Sequence, residues 1–204
     1  MAERLEVHPT HPQPRAVRRA EQVLREGGLI AYPTDSGYAF GWRMDSNAAR
    51  ERVTKIRRLD ARHPFTVICR HLSEVGACAR LSDQAFRLLK KLTPGPYTFV
   101  LPASPNLPRA IRQNKRRSIG VRVPDHAVPQ ALVEALGEPL LSSSLILPGE
   151  DMSEWTSEDL AEHVSRVVDL FLDGGDCGPD PTTVLDLEGD TVTVLREGAG
   201  PLPE

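Results

Sequence analysis

Apolar residues recur at helical spacing after Pro14, with Ala16, Val17, Ala20, Val23 and Leu24 on one face, and Gly27-Gly28 closes the stretch. A continuous apolar run, Leu29-Ile30-Ala31-Tyr32, then reads as a buried strand ending at Pro33, which cannot donate to a ladder. The pattern goes on alternating. A helix is predicted over 47–56 and a strand over 65–69. Ser82 caps a helix with Ala85, Phe86, Leu88, Leu89 and Leu92 on one face, and Thr93-Pro94-Gly95-Pro96 breaks it. Strands follow at 98–102, 118–123 and 140–144, with a helix over 128–136 that Gly137 closes. Thr156-Ser157-Glu158-Asp159 has the pattern of a helix cap, and 167–172 reads either as a strand or as the end of that helix. Residues 182–187 and 191–196 form the last strands, joined at Glu188-Gly189-Asp190 as a hairpin. About seven strands with interspersed helices imply an α/β or α+β sheet around one core. No repeat, linker or low-complexity segment interrupts it, so residues 1–204 are expected to form a single domain.

Composition adds little except in its distribution. With 40% apolar and 26% charged residues over 204 positions, the chain has the make-up of a soluble globular protein with a sizeable core. It starts without an apolar leader and contains no run of membrane-spanning length, so no membrane association is expected. Cys69, Cys78 and Cys177 form no Cys-x-x-Cys pair, which argues against a disulfide framework or a zinc site and for a reducing cytoplasm. The net charge of −3 conceals an asymmetry. Residues 1–146 hold 23 Lys/Arg against 13 Asp/Glu, and residues 147–204 hold 2 against 15. Positive charge is densest around Lys55, Arg57 and Arg58, and again at Arg109, Arg112, Lys115, Arg116 and Arg117. Such clusters suit a phosphate-bearing ligand, a nucleotide or a nucleic-acid backbone, although solvated faces can carry the same pattern.

The candidate chemistry centres on Tyr32-Pro33-Thr34-Asp35-Ser36-Gly37-Tyr38. Three side-chain oxygens follow a buried strand, and Gly37 lets the backbone approach a ligand closely. Strand exits of this kind hold ligands in α/β proteins, while a plain surface turn has the same composition. No Ser-His-Asp elbow and no Walker glycine loop is present.

Five motifs occur in order: Gly-Gly-Leu-Ile-Ala-Tyr-Pro-Thr-Asp-Ser-Gly-Tyr (27–38), Thr-Pro-Gly-Pro-Tyr-Thr (93–98), Ile-Gly-Val-Arg-Val-Pro-Asp-His (119–126), Pro-Leu-Leu-Ser-Ser-Ser (139–144) and Pro-Thr-Thr-Val-Leu-Asp (181–186). Together, over residues 10–200, they resemble the YrdC-like domain family, and its YciO branch most closely. The resemblance implies a twisted, mixed sheet with helices around a concave, basic face. It also implies synthesis of threonylcarbamoyl-AMP from L-threonine, bicarbonate and ATP with Mg²⁺, feeding a tRNA modification, and binding of double-stranded RNA or tRNA. Carried over by residue, it assigns Thr34 and Tyr38 to a threonine pocket. Lys55, Arg57 and Ser144 become catalytic elements. Arg57, Arg122, Ser142, Ser144, Thr182, Thr183 and Arg196 become nucleotide contacts, while the charge clusters themselves make Arg58, Arg109, Arg112, Lys115, Arg116 and Arg117 the candidate RNA contacts. Ser142–Ser144 also reads as an unliganded strand end, Thr182-Thr183 as a strand start, and Tyr38 as core.

Two departures set the chain apart from the synthases. Where they read Ser-x-Asn, this chain reads Ser144-Leu145-Ile146. Lys55-Ile56-Arg57 lies about two positions farther from Pro64-Phe65 than the synthase spacing. In the register without an insertion, Arg57 replaces the lysine and Leu59 the arginine. Three functions stay open on these grounds: a nucleotide-dependent enzyme making an acyl- or carbamoyl-adenylate, a protein that reads RNA shape through phosphates, and a nucleotide sensor without turnover.

Overall fold

The structure is a computed structural model and describes residues 1–60, 63–112, 117–178 and 180–202. Among these, ten strands form one sheet: β1 (Glu3–Glu6), β2 (Ile30–Thr34), β3 (Gly37–Arg43), β4 (Thr66–Ile68), β5 (Tyr97–Pro102), β6 (Ser118–Arg122), β7 (Leu140–Ser144), β8 (Leu170–Asp173), β9 (Thr183–Asp186) and β10 (Thr193–Arg196). Their spatial order is β1-β8-β2-β3-β7-β4-β6-β5-β9-β10. Parallel and antiparallel neighbours alternate irregularly, so the sheet is mixed. Six helices complete it: α1 (Pro14–Arg25), α2 (Asn47–Ile56), α3 (Leu72–Cys78), α4 (Asp83–Leu92), α5 (Ala127–Leu136) and α6 (Ser157–Val164).

The sequence anticipates most of these elements, and local chemistry explains their ends. Pro14 sits in the first turn of α1, where a missing N–H costs nothing. The Ser46 and Ser82 hydroxyls accept from the N–H groups of Ala49 and Ala85. Thr156 and Asp159 form a reciprocal capping box on α6. Gly137 ends α5 at φ 71°, a left-handed conformation that glycine adopts without a Cβ penalty. The ambiguous stretch at 167–172 resolves as strand β8.

Three elements were not anticipated: β1, β3 and α3. The most consequential is β3. Tyr32-to-Gly41 is not a strand followed by a loop but a tight hairpin, in which Thr34 faces Gly37 and Ile30 faces Gly41. Pro33 therefore lies inside β2 rather than ending it. The pairing of β2 with β8 stops at Ala31, so at Pro33 the strand has a neighbour on one side only and a proline is tolerated.

The sheet is buried on both faces over much of its area. Leu29, Ala31, Phe40 and Trp42 point into one core, roofed by α2, α3, α4 and α6. Ile30, Tyr32, Ala39 and Leu140 point into the other, roofed by α1 and α5. This explains why β2 reads as a continuous apolar run rather than an alternating one. On the α1/α5 side the roof is incomplete. Beyond it, this face of the sheet carries small polar side chains, Ser142, Thr66, Thr98 and Thr182, and Arg122. That uncovered strip is where the candidate site lies.

Candidate functional site

The site has two connecting parts. An inner polar chamber of about 40 Å³ lies among Thr34, Thr66, Thr98, Arg122, Ser142 and Thr182. An outer chamber of about 330 Å³ opens next to it, walled by Ile146, Met152, Trp155 and Leu160 with Arg196 at one side. Ser36, Tyr38 and Ser144 line both.

Arg122, at the end of β6, is 7% exposed. Its Nη2 pairs with the Asp35 carboxylate and lies 3.5 Å from Thr34 Oγ1. The other Asp35 oxygen accepts the Asp125 N–H at 2.9 Å, which fixes the carboxylate over the guanidinium. Burial lowers the Arg122 pKa, to about 10; the Tyr32 phenol raises it and repulsion from Arg196 lowers it further, so the group stays cationic at neutral pH. Arg57, the residue after α2, donates from Nη1 to Ser143 Oγ at 2.5 Å, and burial, then Arg196, lowers its pKa. Arg196 on β10 donates from Nε to the Thr182 carbonyl and from Nη2 to its hydroxyl, both at 3.0 Å. Thr182 and Thr98 hydroxyls bond each other at 2.9 Å.

Arg196 lowers the pKa of both Arg57 and Arg122, and of the three only Arg122 is paired with a carboxylate among the described residues. The Nε atoms of Arg57 and Arg122 are buried and have no partner among the described residues. A buried donor without an acceptor costs about 1–3 kcal/mol. A set of this kind is built for an oxyanion, phosphate or carboxylate, because that ligand supplies both the missing acceptors and the missing charge. It does not suit a metal ion. The only carboxylate in it is tied to Arg122, and no cluster of three His, Cys, Asp or Glu side chains occurs among the described residues.

Several candidates from the sequence take other places. Thr183 is fully buried; its hydroxyl donates to the Gly200 carbonyl at 2.6 Å and accepts the Gly198 N–H at 3.0 Å. It faces the opposite side of β9 from Thr182, as strand alternation requires, and anchors the C-terminal segment rather than a nucleotide. Ser142 lines the inner chamber, but its hydroxyl is committed to Tyr32 at 2.7 Å and the Phe40 carbonyl at 2.8 Å. Tyr38 stacks on Phe171 at 5.0 Å, donates to the Gly175 carbonyl and accepts the Gly174 N–H, so only its ring is offered to the cleft. Thr34 donates to the Gly37 carbonyl at 2.6 Å and accepts the Ser36 N–H, holding the hairpin turn. Lys55 is exposed on α2 and lines neither chamber, whereas Arg57 reaches Ser143. Ile146 is 47% exposed, at the outer wall rather than in a buried niche.

Among the described residues of the basic clusters, only Arg57 bonds a residue that lines the cleft. Arg58, Arg109 and Arg117 are exposed, and Arg112 bonds the Leu107 carbonyl at 2.8 Å. Arg50 on α2 holds the Ala110 carbonyl at 2.7 Å, so the segment with Arg109 and Arg112 rests against α2. Lys115 and Arg116 lie outside the described residues.

Two site residues escaped the sequence reading. Ser143 is hidden among its neighbours, since three consecutive serines give no sign of which one faces Arg57. Asp35 was noted only as a loop oxygen, because its partner lies 87 positions away.

A model of the Sua5/YciO/YrdC family, described as telomere recombination, matches residues 22–198. The chain belongs to the Sua5/YciO/YrdC family. It is 47% identical to the uncharacterized protein YciO of Escherichia coli over 95% of this chain and 94% of that one. The YciO crystal structure superposes with a TM-score of 0.93 over 98% of both chains, at 46% identity. A threonylcarbamoyl-AMP synthase from Chromobacterium violaceum is 34% identical, over 90% of this chain and 95% of its own. A crystal structure of Pyrococcus abyssi Sua5 complexed with L-threonine matches at TM-score 0.85 and 27% identity, over 96% of this chain and 57% of that one. The family and the mixed α/β sheet expected from the sequence are therefore both established. Kinship to threonylcarbamoyl-AMP synthases is established as kinship. No helix among the described residues is long and apolar enough to cross a membrane.

Proposed function

We propose that the protein is an ATP-dependent adenylate-forming enzyme of the threonylcarbamoyl-AMP synthase type, acting on L-threonine or a similar small amino acid. The observation that carries this reading is the arginine set. Arg122, whose buried Nε has no partner among the described residues, lines a hydroxyl-rich chamber that opens into a larger, partly apolar one beside Arg196. Arg57, its Nε likewise buried, bonds Ser143 at the chamber wall. The outer chamber has the size and the apolar wall for a nucleobase, with Arg196 at hand for phosphate. The inner side offers Arg122 for a carboxylate or carbamate.

In the reaction, the threonine amine adds to CO2 and loses a proton, or to bicarbonate with loss of water, and either way gives a carbamate. A carbamate oxygen then attacks the α-phosphorus of ATP, the bond to the β-phosphate oxygen breaks, and pyrophosphate leaves with the electron pair. Such a transfer needs positioning and charge neutralisation rather than a nucleophilic side chain. Arg57 and Arg196 provide the neutralisation, and the Thr98, Thr182 and Ser144 hydroxyls provide acceptor and donor contacts. Magnesium would arrive on the nucleotide phosphates, because the donor set described above holds no metal centre, and no step here depends on one.

The deciding experiment incubates protein, ATP, Mg²⁺, bicarbonate and L-threonine and looks for threonylcarbamoyl-AMP by mass spectrometry. Arg57→Ala is run in parallel. Product in the first and a loss of about a hundredfold in the second, the effect of removing one such cation, is the expected result. An absence of adenylate above background, with ATP still bound tightly, would replace the enzyme with a nucleotide sensor.

A second role, in double-stranded RNA or tRNA binding, is supported by the exposure of Arg58, Arg109 and Arg117 on α2's end and the segments nearby. Aromatics make up only 5% of the chain, which disfavours single-strand stacking. If phosphate contacts carry the binding, affinity falls steeply with added salt. Weak, salt-insensitive binding would rule this role out.

A further inference from the structure

A larger cavity than either chamber takes no part in the chemistry above. It measures about 570 Å³ and lies where the turns after β4 and β6 meet the residues that follow α4. Leu72, Pro94, Val123 and Pro124 contribute apolar surface to it, and Arg70, Lys90 and His126 contribute donors. It adjoins the arginine cleft without being part of it. The Asp125 N–H bond to Asp35, and the Asp35–Arg122 pair behind it, form the partition.

The donors at this cavity are largely uncommitted. Lys90 is exposed in the last turn of α4 and makes no ion pair among the described residues. Arg70 gives one nitrogen to Glu134 at 2.9 Å and keeps the rest of its fork. His126 Nδ1 accepts the Val128 N–H at 3.1 Å, which places the ring proton on Nε2 as a donor. Burial, and then Arg122, lower the His126 pKa, so the ring is neutral at physiological pH. Among acids, Asp125 lines the cavity and Glu134 sits on Arg70. His71 lines it as well, and Gln130 is turned to the Pro124 carbonyl at 2.9 Å.

We infer that this cavity is a second ligand site, for a small organic phosphate whose apolar body rests on Leu72, Pro94, Val123 and Pro124 while its anionic end is held by Lys90, Arg70 and His126. Volume and lining match small-molecule sites, which combine an apolar bed with a few convergent polar groups. A bare inorganic anion would leave the apolar bed wet, and a neutral apolar molecule would leave the donors unanswered. The site does not depend on the adenylate reaction, so the two readings fail separately.

The test titrates the full-length ¹⁵N-labelled protein with phenyl phosphate and follows backbone amide shifts. Inorganic phosphate and phenol are titrated separately. Saturable shifts are expected at His71, Lys90, Ala127 and Gln130. Inorganic phosphate and phenol should each bind about tenfold or more weakly, the usual effect of losing one such contact set. Lys90→Glu should weaken phenyl phosphate at least tenfold, by turning an attraction into a repulsion. His126→Asn keeps a capping acceptor for α5 and, with a shorter side chain, withdraws the Nε2 donor from its reach into the cavity, so a folded variant with several-fold weaker binding is expected. Arg57→Ala should leave these shifts unchanged. Shifts centred instead on Ser143, Thr182 and Arg196 and lost in Arg57→Ala, or an affinity untouched by Lys90→Glu, would overturn the proposal.

Discussion

Replacing Asp35 with alanine should destabilise the protein and at the same time make it hungrier for anions. The Asp35 and Arg122 side chains are 13% and 8% exposed, so the pair is nearly out of water. Removing one partner of a buried pair leaves an uncompensated charge and costs about 3–5 kcal/mol. The Asp125 N–H loses its acceptor as well. Because the cleft still admits some water, the lower end, about 3 kcal/mol, is the fair value. For a chain of this length each kcal/mol lowers Tm by about 2–4 °C, so a fall of roughly 6–12 °C is expected in a chloride buffer of low ionic strength. Phosphate or ATP should then restore more stability to the variant than to the parent, since Asp35 no longer competes for Arg122. At a ligand concentration a hundred times Kd the gain is about 2.7 kcal/mol, close to the whole loss. Thermal unfolding of both proteins with and without the anion measures each number. A Tm within 2 °C of the parent would refute the buried-pair argument. So would a loss of the predicted size that phosphate and ATP rescue no better than they stabilise the parent, because Arg122 would then not be an anion receptor.

Other perturbations test neighbouring parts. Ile146→Asn introduces an amide at the half-exposed outer wall. If the cleft lacks only that contact, adenylate yield should rise several-fold, the value of one modest hydrogen bond, and an unchanged yield would exclude it as the missing group. Gly198→Ala places a Cβ against the Pro181 carbonyl and the Thr182 backbone. Overpacking there should cost roughly 1–3 kcal/mol and weaken ATP binding by displacing Thr182 and Arg196, as urea unfolding and calorimetry would record. For Asp169, burial raises the pKa, but bonds from Arg52 and the Leu29 N–H outweigh it and hold it below its ordinary 3.8. A depressed carboxylate contributes its full stability above the unfolded value of 3.8, and the contribution is lost as pH falls from there through the lower folded value. Urea midpoints between pH 6 and 3 should therefore fall at the acid end, and Asp169→Asn should flatten that limb.

How far the cleft is legible in the sequence depends on which interactions are local. Caps and helix faces are local, and Pro14, Ser82, Thr156 and Gly137 announce them correctly. The hairpin at 30–43 is nearly local, but Pro33 has the look of a strand end, and only the stopping of β8 at Ala31 makes it harmless. Pairings across the chain are not legible at all. Nothing near Asp35 specifies Arg122, and nothing near Arg57 specifies Ser143 over Ser142 or Ser144. Strand parity decides the second case. Ser142 shares a face with Tyr32, to which it is bonded, whereas Ser143 points to the opposite side, where α2 delivers Arg57. Parity separates Thr182 from Thr183 in the same way.

The same distinction explains the charge asymmetry, which the sequence presents as a basic body with an acidic tail. Much of the acidic part is engaged in the fold. Asp173 and Glu158 both receive Arg4, the first tying β8 to β1. Asp169 receives Arg52 at 2.6 Å and the Leu29 N–H at 2.7 Å, linking α2, β2 and the residue before β8. These acids neutralise arginines on the flank of the sheet. Among the three arginines of the cleft, by contrast, only Arg122 is paired with a carboxylate among the described residues, that of Asp35 in the hairpin turn. Acid closes the flank of the sheet, whereas at the cleft Arg57 and Arg196 have no acidic partner among the described residues. The local balance of charge at the cleft favours an anionic ligand, and the net charge of −3 hides it entirely.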